Sequence, residues 1–528
     1  MKKALSILSL VLTLTMTAFA LTACTGQSGE STSKSSPAET VTTAELAALE
    51  SESDVTVSTS GAVKISLNGT TASVSGDGAQ VKDSTVTVTA GGTYEISGKL
   101  TDGRILVDAD GEEVTLILNN ADITCSDSSA IYIYAAKSAT VYLADGSKNT
   151  LTDGGSYAYG DSYSSEADEE PNACLYAKDD LVIAGSGSLT VNGNFNNGVT
   201  SKDTLKIEAV NLTVNAKNHG VNGKDSLTVK KAAVSVVSGG DALRATNDTD
   251  PTLGYVIVTG STVTIESGED GIQAETAVTM GSTTLNVKAG GGHTASLSDD
   301  ASAKGIKAGT DLTVDSGTYG FDCADDALHA NNNLTVNGGE FTVTTADDGL
   351  HADNTVTLNA GTFTIEAHEG VEGTIVKIND GTVTINASDD GINAAKKIDG
   401  VTPTVEINGG TITVTMGQGD TDGIDSNGNI VINGGTVTVN AQSPFDYDGT
   451  GTINGGTVTV NGTQVTSLSN QFGGGMQGGG RGAQTPQDGQ VPQDGQTPPD
   501  GQIPQGKHPS GGRGPRSQTT TTTEAETA

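Results

Sequence analysis

The sequence contains no tryptophan, and only 3% of its 528 residues are aromatic. A core of large aromatic side chains is therefore excluded, as is the strip of planar rings that usually grips flat crystalline cellulose. Cysteine is also scarce, because Cys24, Cys125, Cys174 and Cys323 are the four in the chain. Their wide spacing excludes a disulfide framework or a CxxC metal site. We expect the last three to be buried free thiols, with a Cys125–Cys174 bridge as the alternative.

Positive charge is rare: 27 Lys and Arg face 64 Asp and Glu, for a formal charge of −37. Nucleic acid and anionic membrane surfaces bind basic patches, so we expect neither as a direct partner. Cations, or polyanions bridged by cations, suit this charge better.

The first 23 residues have a basic start and an apolar run, and they end in Leu21-Thr22-Ala23 before Cys24. This pattern predicts a lipoprotein signal peptide (1–23) and lipidation of Cys24. No later segment is apolar enough to cross a bilayer. We therefore expect a secreted protein anchored to the outer face of the cell membrane, with the N-terminal lipid as its only membrane contact.

Two polar segments flank the middle of the chain. Residues 24–54 are small and polar, which predicts a flexible tether. Residues 466–528 are rich in Gly, Pro, Gln and Thr, with proline recurring every six residues in one stretch, which predicts a disordered tail. The folded domain should therefore span 55–465.

That middle segment is a repeat, and most of its steps are 21 or 22 residues. Each unit contains three short alternating runs of strand-forming residues separated by small turn residues. The pattern predicts an all-β parallel β-helix with three strands per rung and about 22 residues per rung. Asparagines end the middle strand of successive units and should stack as a structural ladder: Asn337, Asn359, Asn379, Asn408, Asn433 and Asn454.

Carboxylates recur at one position of the repeat, directly before a glycine or alanine. Neighbouring rungs lie about 4.7 to 4.9 Å apart, so stacked carboxylates repel each other and favour a cation. Calcium suits such oxygen ligands. The candidate ligands are Asp241, Asp270, Asp325, Asp326, Asp347, Asp348, Glu369, Asp389, Asp390, Asp422 and Asp425. Zinc at His329 and His351 is one alternative, and aspartates that merely cap turn N–H groups, as we expect for Asp203, are another.

Three residues after each of these positions, the side chain should point outward and line one long polar face. This face is a candidate carbohydrate groove, although an ordinary hydrated face is the alternative. The candidate carbohydrate-binding residues on and beside it are Arg244, Gln273, Lys304, Lys307, His329, His351 and Asn393. Cationic members favour acidic glycans.

The segments "GTYEISGKLTDGRILVDADGEEVTLILNNADIT" and "LVIAGSGSLTVNGNFNNGVTSKDTLKI", followed by the "DDGI" rungs, resemble the carbohydrate-binding β-solenoid lipoprotein family. The likeness covers nearly all of 55–465. It implies calcium binding and affinity for cellulose or acidic sugars. The family is similar in fold to family 9 pectate lyases, which implies a right-handed helix and, in the lyases, a "DDG-apolar-D" calcium cluster beside a basic residue.

The sequence departs from that lyase pattern. The third carboxylate is replaced by His329, His351, Asn393 or Gln273 on most rungs, and only Asp422 to Asp425 keeps it, without a preceding paired aspartate. We therefore assign no catalytic residue. We predict a monomeric, calcium-binding, non-catalytic lipoprotein that binds acidic, pectin-like, or cellulosic polysaccharide. A pectate-lyase-like enzyme and a structural or adhesive surface rod are the alternatives.

Overall fold

The computed structural model describes residues 41–298, 301–417 and 421–470. These residues belong to one compact unit and form an all-β fold with a single helix, α1 (Thr43–Ser51), in the described part of the chain. The N-terminal strands are β1 (Val63–Gly69), β2 (Ala72–Ser75), β3 (Ala79–Lys82), β4 (Thr85–Val88), β5 (Gly92–Leu100), β6 (Arg104–Asp108) and β7 (Glu113–Cys125). Two antiparallel pairs, β1–β2 and β3–β4, lie at this end.

The next eight turns of the chain each contribute three strands. They are β8 (Ile131–Ala135), β9 (Ser138–Leu143), β10 (Lys148–Asp153), β11 (Ala173–Ala177), β12 (Leu181–Gly185), β13 (Ser188–Gly193), β14 (Asn197–Ser201), β15 (Thr204–Glu208), β16 (Asn211–Ala216), β17 (Val221–Gly223), β18 (Ser226–Lys230), β19 (Ala233–Ser238), β20 (Leu243–Ala245), β21 (Tyr255–Thr259), β22 (Thr262–Ser267), β23 (Ile272–Ala274), β24 (Val278–Gly281), β25 (Thr283–Ala289), β26 (Ile306–Ala308), β27 (Leu312–Val314), β28 (Gly317–Cys323), β29 (Leu328–Ala330), β30 (Asn333–Val336) and β31 (Glu340–Thr345).

The C-terminal strands continue the same order, except that two long strands each span two of the three sheets. They are β32 (Leu350–Leu358), β33 (Thr362–Ala367), β34 (Val371–Ile378), β35 (Thr382–Ala387), β36 (Ile392–Ala394), β37 (Thr404–Ile407), β38 (Thr411–Met416), β39 (Asp422–Ser426), β40 (Asn429–Ile432), β41 (Thr436–Asn440), β42 (Ser443–Tyr447), β43 (Gly451–Ile453), β44 (Thr457–Val460) and β45 (Thr463–Val465).

Parallel pairing follows a constant rule through most of the chain, because each strand bonds to the strand three places later, as in β14–β17 and β15–β18. The pairing produces three parallel sheets. Sheet A is formed by β6, β8, β11, β14, β17, β20, β23, β26, β29, the starts of β32 and β34, β36, β39 and β42. Sheets B and C are formed by the second and third strands of each turn. This arrangement is consistent with the predicted β-helix.

Alternation of side chains explains the core. In β22 the burial alternates residue by residue, and Val263 and Ile265 point inward while the threonines point out. Leu328 pairs with Leu350 on the next turn, and that leucine pairs with Val371. Stacked aliphatic side chains thus fill the interior and need few aromatic rings.

The predicted asparagine ladder and free thiols are confirmed. Asn359 donates to Asn337, Asn379 to Asn359 and Asn454 to Asn433, with Nδ2–Oδ1 distances of 2.8 to 2.9 Å. The cysteines Cys125, Cys174 and Cys323 are buried and free.

Helix α1 lies within the segment 24–54, for which the sequence predicted a flexible tether. Thr42 and Glu45 form a capping box at its start, and the alanines and leucines that follow favour helix. Leu46 is buried, and it lies close to Gly281 at the end of a sheet B strand. Part of the predicted tether is therefore ordered against the solenoid.

The folded unit also extends beyond its predicted end at 465, since Leu468 is buried and Asn470 donates to the backbone oxygen of Tyr447. Cys24, the signal segment 1–23 and the tail after 470 lie outside the described residues. In the described ranges, no helix is both long and apolar enough to cross a membrane.

Candidate functional site

A row of polar side chains follows the turn from sheet C to sheet A. One oxygen of each of four aspartates in this row, Asp241, Asp270, Asp326 and Asp390, accepts a hydrogen bond from the backbone N–H of the equivalent residue one turn later. Asp270 Oδ1 accepts from Lys304 N at 2.8 Å, and Asp326 Oδ1 accepts from Asp348 N at 3.1 Å. Asp390 likewise accepts from Asp422 at 3.2 Å. We call this row the turn ladder; in these four aspartates one carboxylate oxygen caps the backbone and the other is available for further contacts.

The outward residues of sheet A form a second row beside the ladder. The parallel register aligns six of the candidate carbohydrate-binding residues in it: Arg244, Gln273, Lys307, His329, His351 and Asn393. Lys304 belongs instead to the turn ladder, where its amine contacts carboxylates rather than the open face. Nearer the N-terminus the row continues as Leu106, Tyr132 and Tyr176, which are buried beneath Tyr163 of the insertion between β10 and β11.

Long insertions border sheet A on both sides. Residues 290–298 and 301–303 come before β26 at the C-to-A turn, and 246–254 and 395–403 follow β20 and β36 at the A-to-B turn. A cavity of about 360 Å³ opens between these borders. It is lined by Asp241, Arg244, Thr246, Glu269, Asp270, Gln273, Glu275, Ala301, Ser302 and Lys307. Three of the predicted sugar-binding residues thus share one cleft.

Cations neutralise the ladder at this cleft. Asp241 Oδ2 lies 3.4 Å from both Arg244 and His219 Nδ1. Burial would raise the pKa of Asp241, but the hydrogen bond from His219 and the charges of His219 and Arg244 lower it. Arg244 Nε is buried without a hydrogen-bond partner. Lys307 Nζ lies 3.5 Å from Asp270, and its side chain is 32% exposed.

The next ladder position is a lysine. Lys304 Nζ contacts Asp325 at 2.6 Å and Asp326 at 2.7 Å, and its side chain is only 13% exposed. His329 Nδ1 lies 2.8 Å from the same Asp326 oxygen. Although burial opposes the shift, these partners lower the pKa of Asp326. Asp347, on the following turn, has a raised pKa because of burial and the charges of Asp326 and Asp325.

His351 lies between carboxylates of two turns. Its Nδ1 is 2.6 Å from Asp348 Oδ2 and 3.1 Å from Glu372 Oε2, and Lys397 is 2.7 Å from Glu372. Burial alone would lower the pKa of His351, but its bonds to Asp348, Asp353 and Glu372 raise that pKa to about 12. Sequence spacing could not reveal Lys397, because it lies in an insertion outside the repeat.

Beyond this point the ladder loses its cations. In the described ranges no Lys or Arg forms an ion pair with Glu369, Asp389, Asp390 or Asp425. Burial and the charge of Glu372 raise the pKa of Glu369 to about 7. Burial, Glu369 and Asp425 raise the pKa of Asp390 to about 8, and burial with Asp422 raises that of Asp425 to about 6.

The donor atoms at this end lie close together. One ligand atom from each of His368, Glu369 and Asp389 falls within 4.8 Å of the others, and Asn393 donates to Glu369 at 3.1 Å. The described part of the chain holds four further groups of three such donors. Each of these four groups contains a carboxylate that forms an ion pair with Arg244, Lys304 or Lys397. Sequence reasoning had not separated neutralised carboxylates from unpaired ones.

Comparison with known proteins identifies the family of this chain. The family of carbohydrate-binding domain-containing proteins matches residues 82–349 and 347–489. A carbohydrate-binding domain-containing protein of Acetivibrio thermocellus is 35% identical over 216 residues, which cover 41% of this chain and 74% of that protein.

A solved structure of the polysaccharide lyase-like protein from C. thermocellum, a gadolinium derivative, is 36% identical. The match covers 44% of this chain and 92% of that chain, with a TM-score of 0.42. The family match spans well over half of the sequence. This chain belongs to the family of carbohydrate-binding domain-containing proteins.

Proposed function

We propose that this protein binds polysaccharide along sheet A without cleaving it, and that the cleft around Arg244 and Lys307 prefers acidic glycans. The observation that carries this proposal is the pair of cationic side chains in one 360 Å³ cavity bordered by insertions. Arg244 lines this cavity, where its guanidinium can donate to a uronate carboxylate. Arg binds carboxylates through paired hydrogen bonds, and Lys307 adds a point charge.

The same contacts argue against a lyase. A lyase of the pattern considered above needs paired aspartates, an outward aspartate and a nearby free base. Lys304 is held between Asp325 and Asp326, and Lys307 faces Asp270. Although burial opposes the shift, the charges of Asp326 and Asp325 raise the pKa of the Lys304 amine, which is therefore poorly suited to abstract a proton.

We propose calcium at the C-terminal part of the turn ladder, around Glu369, Asp389, Asp390 and Asp425. Calcium takes six to eight oxygen ligands with loose geometry, and this group offers carboxylates with no resident Lys or Arg. When bound, the ion would supply positive charge to stabilise the turns and to bridge an acidic glycan. The ladder from Asp241 to Asp348 fits calcium poorly, because amines and imidazoles already occupy its outward oxygens.

We propose that the solenoid is right-handed, since parallel crossover connections almost always are.

We also propose that Cys24 is lipidated and holds the protein on the outer face of the membrane. Expression of Cys24→Ala should release the protein from the membrane fraction, and its unchanged retention there would contradict lipid anchoring.

Affinity electrophoresis in gels that contain polygalacturonate, with calcium present, tests the binding proposal. The wild-type protein should be retarded, and Arg244→Ala and Lys307→Ala should each reduce retardation several-fold. A matched control is Lys377→Ala, which removes a lysine of similar exposure from sheet B. Equal loss in all three variants would show non-specific charge attraction and defeat the sheet A proposal.

A parallel assay follows absorbance from unsaturated uronates during incubation with the same polymer at alkaline pH. We expect no rise. A steady calcium-dependent rise that Lys304→Ala or Lys307→Ala abolishes would replace the binding proposal with a lyase.

A further inference from the structure

We propose that Asp348, His351 and Glu372, with His329 and Asp326 beside them, form a second metal site that takes a zinc-class divalent ion through nitrogen as well as oxygen. The site is separate from the calcium position, because it shares no residue with Glu369, Asp389, Asp390 and Asp425. Three successive turns of the solenoid supply its donors.

The donor spacing fits such an ion. His351 Nδ1 lies 2.6 Å from Asp348 Oδ2 and 3.1 Å from Glu372 Oε2, and all three residues are buried. Ligands of a zinc ion with bonds of about 2.0 to 2.2 Å lie roughly 3 to 3.5 Å from each other. An ion between the three atoms therefore requires only small movements.

A second donor group shares the same imidazole. One ligand atom each of Asp326, His329 and His351 lies within 4.8 Å of the others. The two rings are stacked with centroids 4.6 Å apart and an angle of 25° between their planes. The neighbouring turns thus place two imidazole nitrogens and several carboxylate oxygens close together. A single histidine would supply only one nitrogen ligand.

The far nitrogen of each ring is held by an oxygen. His329 Nε2 lies 3.0 Å from Asn331 Oδ1, and His351 Nε2 lies 3.5 Å from Asp353 Oδ1. Metal-ligating histidines are typically oriented in this way by a carboxylate or amide oxygen on the other ring nitrogen. This contact is independent of the donor spacing, and it fixes which nitrogen faces the carboxylates.

Charge balance favours a divalent ion. Six carboxyl groups share this region with two lysines, Lys304 and Lys397, so acidic side chains outnumber the lysines by four. The six are Asp325, Asp326, Asp347, Asp348, Asp353 and Glu372. A divalent ion would offset part of this excess and gain two nitrogen ligands.

Nitrogen also decides the kind of ion. An imidazole nitrogen lies between two carboxylates at the place where calcium would need an oxygen. Imidazole suits zinc, cobalt, nickel and copper, whereas calcium prefers oxygen alone. The two ends of the ladder would therefore select different metals.

The test uses the full mature protein, stripped of metal and then held in saturating calcium. Zinc titration by calorimetry and cobalt titration by visible absorption should both show one site. His351→Ala should weaken affinity more than tenfold and abolish the cobalt band, while Asp353→Asn should weaken it several-fold. His293→Ala, which changes a partly exposed histidine that pairs with Asp322 outside both proposed metal sites, is the matched control and should bind normally.

Thermal melting in calcium checks that each variant is folded. Absence of a cobalt band in the wild-type protein, or equal binding by folded His351→Ala, would overturn the metal site. Neither result would affect glycan retardation, so the two proposals fail separately. Glu372→Gln supplies a second test, because it preserves shape while it removes one ligand charge.

Discussion

Two stretches of the turn ladder differ in whether cationic side chains face their carboxylates. From Asp241 to Asp348, the outward carboxylate oxygens face Arg244, Lys307, Lys304, His329 and His351. At Glu369 and Asp390, the same ladder position contains a carboxylate that forms no ion pair with Lys or Arg in the described chain. Backbone capping is alike in both stretches, as Asp326 and Asp390 show. The fold thus accommodates ladder carboxylates with or without a cationic partner, and the side chains of neighbouring turns decide which arrangement occurs.

The difference teaches how a stacked-acid solenoid remains folded. Repulsion between carboxylates of neighbouring turns must be offset by fixed cations, by protonation or by bound metal. Fixed cations work at any pH below their own pKa and need no ligand. The stability of the part around Glu369 and Asp390 depends instead on pH and on bound metal, so this part of the molecule should respond to both.

The largest effect should follow from removal of a fixed cation. Lys304→Ala leaves Asp325 and Asp326 buried without their amine, and loss of one partner of a buried pair costs about 3 kcal/mol or more. Urea unfolding measures this loss. If the comparison is correct, added divalent metal should restore part of it; a loss below 1 kcal/mol would contradict the role given to Lys304.

Calcium should give the next largest effect. A ligand that binds only the folded state adds RT ln(1 + [L]/Kd), which is about 2.7 kcal/mol at one hundred times Kd. We expect calcium to raise the melting temperature of the wild-type protein, and Asp390→Asn to reduce that rise by more than half. Asp203→Asn, in the A-to-B turn between β14 and β15, should leave the calcium-dependent rise in melting temperature intact. An unchanged melting temperature in calcium and in chelator would refute the calcium proposal.

The pH dependence without metal should be smaller and has a definite sign. The pKa values of Glu369, Asp390 and Asp425 in the folded protein, about 7, 8 and 6, exceed their unfolded values near 4. The folded state therefore holds more protons between about pH 4 and 8, so these groups lower stability as pH rises.

Melting in chelator, measured in steps from pH 5 to 8, checks this sign. Asp390→Asn should have a shallower decline than the wild type. A steeper decline in the variant, or none in the wild type, would contradict the unpaired state of this end. His351 adds to the same decline above about pH 6.5, because its pKa in the folded state is about 12 and its unfolded value is near 6.5. The wild type and Asp390→Asn share this contribution, so the difference between them reports Asp390.

The smallest effect is expected for an exposed ion pair whose distance matches that of the buried Lys304–Asp325 pair. Lys99 and Asp122 lie 2.6 Å apart, the same distance as Lys304 and Asp325, but their side chains are 59% and 39% exposed. Exposed pairs contribute about 0.5 kcal/mol because water and salt screen them. Lys99→Ala should therefore change urea unfolding by less than 1 kcal/mol, which isolates burial as the cause of the Lys304 effect.

Much of this architecture could be predicted from local pattern. Alternation of inward aliphatic residues such as Leu328 with polar ones, and the spacing of Asn337 and its equivalents, depend only on strand geometry and turn chemistry. The register of Arg244 with Gln273 and Lys307 followed from the same spacing. Helix α1 was missed because small polar residues around it resembled a tether, and its docking depends on Gly281, far away in the sequence.

The sequence by itself determined the repeat, the aliphatic interior and the row in which acidic groups stack, because each follows from residues within one turn of the chain. Only the tertiary structure decided which acids are neutralised. Lys304 neutralises Asp325 and Asp326 of the next turn, His351 reaches Glu372 of the following turn, and Lys397 arrives from an insertion. Ion pairing depends on distances of a few ångströms between turns, and residue spacing along the chain does not specify those distances.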